Sequence, residues 1–185
     1  MKEKIKQKSI LLFEKQGFSE TSIQDIVEAL GVTKGTFYYY FTSKEQLLMD
    51  IHLGYIDDLL KRQEIIRQKQ LSNREKLTQL IALLIMDIAN HGPSGKVFFR
   101  EMRHLCEDNA LEVKGKREKF RKNLEKIIND GIAQNEFRQE LEPDIIAFAI
   151  LGVTNWSYQW FNPAGEITAD RLAKIYSDLI LNGIV

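Results

Sequence analysis

The stretch Leu30–Lys44, LGVTKGTFYYYFTSK, concentrates side chains that donate hydrogen bonds. It holds Lys34, Thr36 and three consecutive tyrosines, Tyr38, Tyr39 and Tyr40. Hydroxyl residues that suit helix N-caps stand on both sides of this set, Thr33 before it and Thr42 and Ser43 after it. Amino and hydroxyl groups of this kind contact phosphate oxygens and the edges of bases in nucleic acids.

Two helices joined by a tight glycine turn would position these donors. We expect the first to begin at Thr21 or Ser22, with Thr21 and Gln24 as its capping box. Its apolar residues form one stripe at helical spacing: Ile23, Ile26, Val27 and Leu30. Gly31 ends this helix, and Thr33 is placed to cap the next.

The second helix, predicted over 34–40, is too short to bury all its large side chains. Phe37 and Phe41, one turn apart, are expected to anchor it. Lys34, Thr36 and several tyrosines then remain exposed. This arrangement is typical of a helix-turn-helix, whose second helix enters the major groove of DNA. The alternative is a partly buried tyrosine cluster in a small three-helix core.

The composition of the chain narrows the class of protein to which these elements belong. The 185 residues carry 26 Lys and Arg against 26 Asp and Glu, so any positive potential must be local. Cys106 is the single cysteine, which excludes an internal disulfide. The sequence shows neither a signal peptide nor an apolar run of about 20 residues, so we expect a soluble cytoplasmic protein. It also lacks nucleophile-elbow, P-loop and paired zinc motifs, which favours a non-enzyme without a cofactor.

Helical periodicity along the whole chain predicts an all-α fold of about nine helices. A three-helix DNA-binding domain is expected over 1–46, and a ligand-binding and dimerisation domain over 47–185, joined by a connecting helix over 47–70. After the first three helices, the predicted spans are 45–70, 74–90, 96–108, 111–135, 145–161 and from about 168 to the terminus. Lysines at 2, 4, 6 and 8 belong either to a solvated helix end or to a phosphate-binding face.

Many positions of the first 50 or so residues agree in register with one family. The agreement runs from Phe18, Thr21-Ser22, Ile23 and Asp25-Ile26, through Gly31-Val32-Thr33-Lys34-Gly35-Thr36 and Phe37-Tyr38, to Tyr40-Phe41, Lys44-Glu45 and Leu47. This pattern resembles the N-terminal domain of TetR-family transcriptional regulators. The resemblance implies a homodimeric repressor of a palindromic DNA operator, with a small-molecule effector and dimerisation through the last two helices.

The resemblance also implies roles for individual residues. Lys34, Gly35 and Thr36 match positions that approach bases. Tyr38, Tyr39 and Lys44 match positions that contact phosphates. Thr21, Ser22 and Thr33 match helix caps that meet the DNA backbone. Tyr40 stands where many relatives have His, which weakens its assignment as a contact.

Aromatic residues near the C-terminus suggest the effector. The segment 156–165, WSYQWFNPAG, resembles acyl-CoA-responsive TetR-type regulators of fatty-acid degradation, which implies a long-chain acyl-CoA. The predicted effector-binding residues are Phe98, Phe99, Met102, Arg103, Phe148, Asn155, Trp156 and Trp160. Core or dimer packing is the alternative for the aromatic residues, and an ion pair for Arg103. His104 and Asp108 are one turn apart, but two ligands do not make a metal site.

A sensor or carrier for another hydrophobic ligand, acting without DNA, is the second hypothesis. The exposed donors of the short helix distinguish the two, because a carrier has no use for them.

Overall fold

The computed structural model describes residues 1–184, and its regular elements are all helical. In chain order they are α1 (Lys2–Gln16), α2 (Ile23–Glu28), α3 (Lys34–Tyr40), α4 (Lys44–Arg67), α5 (Asn73–Arg100), a 3-10 helix (Met102–His104), α6 (Glu107–Ala133), α7 (Pro143–Trp160) and α8 (Ala169–Ile184). The all-α prediction is confirmed. None of the helices within residues 1–184 is both long and apolar enough to cross a membrane.

Helix α5 replaces two predicted helices. The sequence predicted a break at residues 91–95, yet the helix continues from Asn73 to Arg100 with non-helical backbone angles at His91. Pro93 lies inside the helix, where it removes one backbone hydrogen bond and kinks the chain without ending it. The predicted helix over 96–108 is therefore wrong: α5 ends at Arg100, a 3-10 turn follows, and α6 begins at Glu107.

The chain divides into two compact units. Unit 1 comprises Met1–Asp57 and Pro93–Lys114. Its core is a set of fully buried apolar residues from α1 to α5: Ile5, Phe13, Ile26, Phe37, Phe41, Leu47, Leu48, Val97 and Phe98. The core thus joins the first three helices to the start of α4 and the end of α5.

Unit 2 comprises Asp58–Gly92 and the chain from Gly115 onward. One core cluster contains Leu77 and Ile81 of α5, Ile128 of α6 and Ile150 of α7. A smaller one gathers Ile85, Ile88, Phe161, Leu172 and Ala173. The functional boundary at residue 46 remains a prediction, because compactness alone does not assign a function to either unit.

Candidate nucleic-acid interface

The N-terminus of α2 is built by a capping box one residue later than predicted. The Ser22 Oγ accepts from the Asp25 N–H at 3.1 Å, and the Asp25 carboxylate accepts from the Ser22 N–H at 2.7 Å. These bonds from Ser22 hold the pKa of Asp25 below its usual value. The predicted pair of Thr21 and Gln24 is wrong, because Thr21 is fully buried and its hydroxyl donates to the Gly17 carbonyl at 2.8 Å.

The turn between α2 and α3 has the predicted glycine at a position that needs one. Gly31 has a φ of 65°, in the left-handed region that side chains disfavour. Two residues later the Thr33 hydroxyl accepts from the Thr36 N–H at 3.3 Å. Thr33 is thereby confirmed as the N-cap of α3.

Helix α3 buries one face and exposes the other. Phe37 and Phe41 are buried, as predicted, with ring centroids 5.7 Å apart. Tyr39 is 80% exposed and Tyr38 is 53% exposed. Tyr40 is half-buried, with its ring edge-to-face against Tyr39 at 4.8 Å. The alternative of a buried tyrosine cluster does not fit these exposures.

The first turn of α3 is open to solvent. Lys34 and Gly35 are exposed, while Thr36 is half-buried and its hydroxyl lies 3.2 Å from that of Thr33. We call the exposed α3 residues Lys34, Gly35, Tyr38 and Tyr39 the recognition surface. It combines one cation, an exposed backbone segment and two phenol hydroxyls, which are donors for phosphate oxygens and base edges.

Lys44 differs from the other predicted DNA contacts. Its ammonium group faces backbone carbonyls of the turn between α1 and α2. Burial lowers the pKa of Lys44, and the nearby carboxylates of Asp25 and Glu20 partly offset this effect.

The lysines of α1 are also partly engaged. Lys2 and Lys6 each form an ion pair with Asp50 at 3.0 Å. The hydrogen bonds from the two lysines outweigh the effect of burial and lower the pKa of Asp50. Two lysines share this one carboxylate, so the group keeps one net positive charge, and both interpretations of these lysines stay open.

Four of the predicted effector-binding residues lie in unit 1. Phe98 is buried, with its ring 4.7 Å from that of Tyr55 and 5.4 Å from that of His52. Phe99 and Met102 are half-buried, and Arg103 is exposed. Phe98 is therefore a core residue of this unit.

Arg103 borders an open cleft of about 670 Å³ in unit 1. Its lining residues are Lys15, Gln16, Gly17, Phe18, Ser19, Glu20, Arg100, Glu101, Arg103 and His104. Inside it, His104 stacks on Phe18 with centroids 5.2 Å apart and lies 3.3 Å from the buried carboxylate of Glu101. The lining carries charges of both signs. Among residues 1–184, no three His, Cys, Asp or Glu side chains are grouped to hold a metal ion.

The other four predicted effector-binding residues lie on α7, in unit 2. Phe148, Trp156 and Trp160 are exposed, with Trp156 at 64%, and Asn155 is half-buried. Phe148 lies over the guanidinium of Arg121 at 4.6 Å. The three exposed rings follow one helical stripe with Ile145, so together they form an exposed apolar surface.

Two residues with clear structural roles were missed from the sequence. Asp25 completes the α2 capping box, and the spacing Ser-x-x-Asp could have indicated it. Glu45 accepts from the Cys106 N–H at 2.8 Å and the Asn109 side chain at 3.0 Å, and so holds the start of α6. No local pattern predicts a partner more than 60 residues away.

Together, the capped α2, the glycine turn and the open face of α3 define a helix-turn-helix DNA-binding protein. Comparison with known proteins gives the family. Residues 8–51 match the model for "Bacterial regulatory proteins, tetR family", and residues 70–184 match "Tetracyclin repressor-like, C-terminal domain". The chain belongs to the TetR family of transcriptional regulators, which confirms the expectation of a regulator rather than an enzyme.

Individual relatives agree with this assignment. The repressor KstR2 of Rhodococcus jostii is 27% identical over 175 residues, which are 94% of this chain and 85% of that protein. The structure of PfmR from Thermus thermophilus superposes with a TM-score of 0.90 at 29% identity, over 96% of this chain and 97% of that one. AibR, solved with isovaleryl coenzyme A and operator DNA, has the same fold, with a TM-score of 0.86 at 24% identity over 96% of each chain.

Proposed function

We propose that the protein is a homodimeric repressor that binds a palindromic operator through α3 and is released by a hydrophobic effector, with long-chain acyl-CoA as the first class to test. Residues 1–46 bind DNA, and residues 47–185 hold the effector and form the dimer. The observation that carries this proposal is the recognition surface. A seven-residue helix leaves Tyr39 80% exposed beside Tyr38, Lys34 and Gly35.

The proposed contacts follow from the direction of α3. Its first turn meets base edges through Lys34 and Thr36, and Gly35 allows close approach because it has no side chain. Tyr38 and Tyr39 donate their hydroxyls to phosphates, and half-buried Tyr40 supports the Tyr39 ring. The caps Ser22 and Thr33 place the N-termini of α2 and α3, with their positive dipole ends, at the DNA backbone. Buried Thr21 is no longer among these contacts.

The dimer is supported by an exposed apolar face on α7 and α8. We call Ile145, Phe148, Trp156, Trp160, Ile175 and Leu179 the α7–α8 apolar face; all six are exposed. A hydrogen bond of 3.0 Å between Ser157 and Tyr176 holds the two helices together. Large exposed patches of this kind mark protein interfaces. We therefore assign Phe148, Trp156 and Trp160 to the dimer interface instead of the effector site.

An effector of the acyl-CoA class is supported by two features. AibR shows that this fold accommodates an acyl-CoA together with operator DNA. In this chain, half-buried Met102 and Phe99 offer adaptable apolar surface, and exposed Arg103 offers a donor for phosphates. Because the function requires access to DNA, the proposal also implies a cytoplasmic location.

A gel shift tests both levels of the proposal. The protein is titrated onto DNA from upstream of its own coding region, with and without palmitoyl-CoA and isovaleryl-CoA. The expected result is a shifted band that palmitoyl-CoA disperses and free coenzyme A does not. Dispersal by isovaleryl-CoA alone would show that the effector is a short-chain acyl-CoA. Absence of any shift would refute the repressor. A shift that is insensitive to both thioesters would leave the repressor in place and remove the acyl-CoA effector.

A further inference from the structure

The ammonium group of Lys44 lies among three backbone carbonyls. Its Nζ donates to the Thr21 carbonyl at 2.6 Å and to the Phe18 carbonyl at 2.7 Å, and it lies 3.5 Å from the Ser19 carbonyl. It also lies 4.3 Å above the ring centroid of Phe18. Of the three N–H donors of the ammonium, two make short bonds, and the Ser19 carbonyl lies at the upper limit of distance for a third. The two short bonds direct the ammonium group into the turn and away from a phosphate contact.

The carbonyls belong to the turn between α1 and α2, in which the Thr21 hydroxyl also donates to the Gly17 carbonyl at 2.8 Å and the Gln16 side chain donates to the Glu20 carbonyl at 3.3 Å. The chain leaves α1 at Gly17, whose φ of 90° reverses its direction. Within the turn, the Thr21 N–H reaches the Phe18 carbonyl at 3.3 Å, which is long for such a bond. Lys44 supplies shorter, charge-assisted bonds to both ends of this segment. The turn is therefore held in part by a side chain more than twenty residues further along the sequence.

The location of the turn gives this contact its significance. Thr21 immediately precedes Ser22, the N-cap of α2, and Lys44 is the first residue of α4, three residues beyond Phe41 at the end of α3. Lys44 thus links the segment before the N-terminus of α2 to the segment after the C-terminus of α3. Gly31 joins the same two helices at their other ends. Lys44 and Gly31 therefore both restrict the angle between α2 and α3, from opposite ends.

We propose that Lys44 is a positioning residue. It sets the orientation of α3 within the DNA-binding domain and makes no phosphate contact. The inference rests on the proposed DNA binding. It replaces the phosphate contact that family resemblance implied for this lysine.

Salt dependence separates the two roles. Each phosphate that a cation neutralises contributes about 0.9 to the slope of log affinity against log salt. We expect Lys44→Met to leave this slope unchanged on scrambled DNA and to lower the preference for operator over scrambled DNA by about tenfold or more. The matched control is Lys34→Met, at an exposed lysine of α3 that the proposed function places at base edges, so it should change the order of preference among operator variants. A slope reduced by about 0.9 in Lys44→Met would overturn the proposal.

Amide hydrogen exchange tests the contact without DNA, so it remains informative even if the proposed DNA binding fails. Loss of the Lys44 bonds should speed exchange at the Thr21 N–H by about tenfold or more, with no change there in Lys34→Met. Unchanged exchange at Thr21 in Lys44→Met would overturn the proposal.

Lys44→Arg covers the case in which Lys44→Met does not fold. An arginine serves a phosphate well, but its planar fork cannot converge on three carbonyls around one point. We expect Lys44→Arg to keep the salt slope while it speeds Thr21 exchange and lowers the preference for operator DNA. Wild-type exchange and preference in Lys44→Arg would support the phosphate role and contradict ours.

Discussion

Tyr39 and Lys34 lie on the same short helix, but they are placed to recognise different parts of DNA. A phenol hydroxyl that donates to a phosphate contributes affinity for any sequence, whereas a lysine at the first turn of α3 meets base edges. We expect Tyr39→Phe to weaken binding to the operator and to its single-base variants by a similar factor, about tenfold. Lys34→Met should change the order of preference among those variants.

Fluorescence anisotropy on a panel of single-base operator variants measures both effects. Tyr38→Phe removes the other proposed phosphate donor, so it should likewise weaken binding to all variants without a change in their order of preference. A change of base preference in Tyr39→Phe, or an unchanged order of preference in Lys34→Met, would show that the two roles are assigned wrongly.

At the residue scale, the sequence predicts a side chain well when its partner is close along the chain. The Thr33 cap was predicted because its partner, the Thr36 N–H, lies three residues away. The α2 cap was predicted one residue early, because Thr21 and Ser22 both carry hydroxyls, and only burial of Thr21 distinguishes them. The contacts of Lys44 could not be predicted, since backbone carbonyls have no sequence signature.

At the element scale, two glycines of α6 provide a matched pair. A Cβ added to Gly131 would lie 2.3 Å from the ring of Phe137, whereas one added to Gly115 meets nothing within 4 Å. Phe137 is buried, so its ring has little room to move. We expect Gly131→Ala to destabilise the fold by about 1–3 kcal/mol.

Gly115→Ala should instead stabilise the fold by about 1 kcal/mol, because alanine is the better helix former. Urea unfolding at a fixed protein concentration measures both variants. Equal stability of Gly131→Ala and the wild type would show that the Phe137 ring moves aside at little cost.

The N-terminus of α5 is held by a carboxylate from outside the helix. Glu136 accepts from the Asn73 N–H at 3.1 Å and the Arg74 N–H at 3.0 Å. Burial acts to raise the pKa of Glu136, but these bonds outweigh it and hold the pKa below its usual value. A lowered folded-state pKa stabilises the fold above the unfolded pKa of about 4.3, and this contribution is lost as the pH falls through the folded value.

Glu136→Gln should therefore lower the Tm at pH 7, and the difference from the wild type should shrink below pH 4. Thermal unfolding followed by circular dichroism at both pH values measures this. Glu166→Gln, at an exposed carboxylate, is the control and should show no such trend. A constant difference between Glu136→Gln and the wild type across the pH range would contradict a role for the charge.

The limits of sequence prediction for whole elements appear in α5. Pro93 correctly indicated an irregularity, but a proline between two strongly apolar helical segments can kink a helix or end it. Packing decides between the two outcomes. The apolar residues of the first half are buried in unit 2, and Val97 and Phe98 of the second half are buried in unit 1, so both halves have cores that hold them helical. Those of the first half are Leu77, Leu80, Ile81, Leu84, Ile85 and Ile88. Periodicity gave the residues that face inward and could not give the continuity of the helix.

At the scale of the whole molecule, the same aromatic residues fit a pocket or an interface, and sequence alone does not separate the two. Trp156 and Trp160 have the composition of an acyl-chain tunnel, yet the structure exposes them with Phe148 and Ile145 along one stripe of α7. The distinction depends on which face of α7 the core covers. That face is set by Ala147, Ile150, Thr154 and Ser157, all buried and all small or of moderate size.

A repressor of this kind needs two recognition helices about 34–36 Å apart, in successive major grooves. Only a dimer provides them, so disrupting the α7–α8 apolar face should affect both assembly and DNA binding. We expect Trp156→Glu and Leu179→Glu to be monomeric in light scattering, because each buries a charge twice in a two-fold symmetric interface. Their operator affinity should fall by about 100-fold, because a monomer contacts only one half-site of the palindrome.

Leu111→Glu is the matched control. Leu111 is an equally exposed leucine, 57% against 64% for Leu179, but it lies on the unit 1 portion of α6. This variant should remain dimeric and bind the operator as the wild type does. If Leu179→Glu stayed dimeric while Leu111→Glu became monomeric, the dimer would form through a different surface. Trp156 and Trp160 would then again be candidate effector contacts. An exposed aromatic stripe that is not a dimer interface marks a ligand-binding site or a second protein interface.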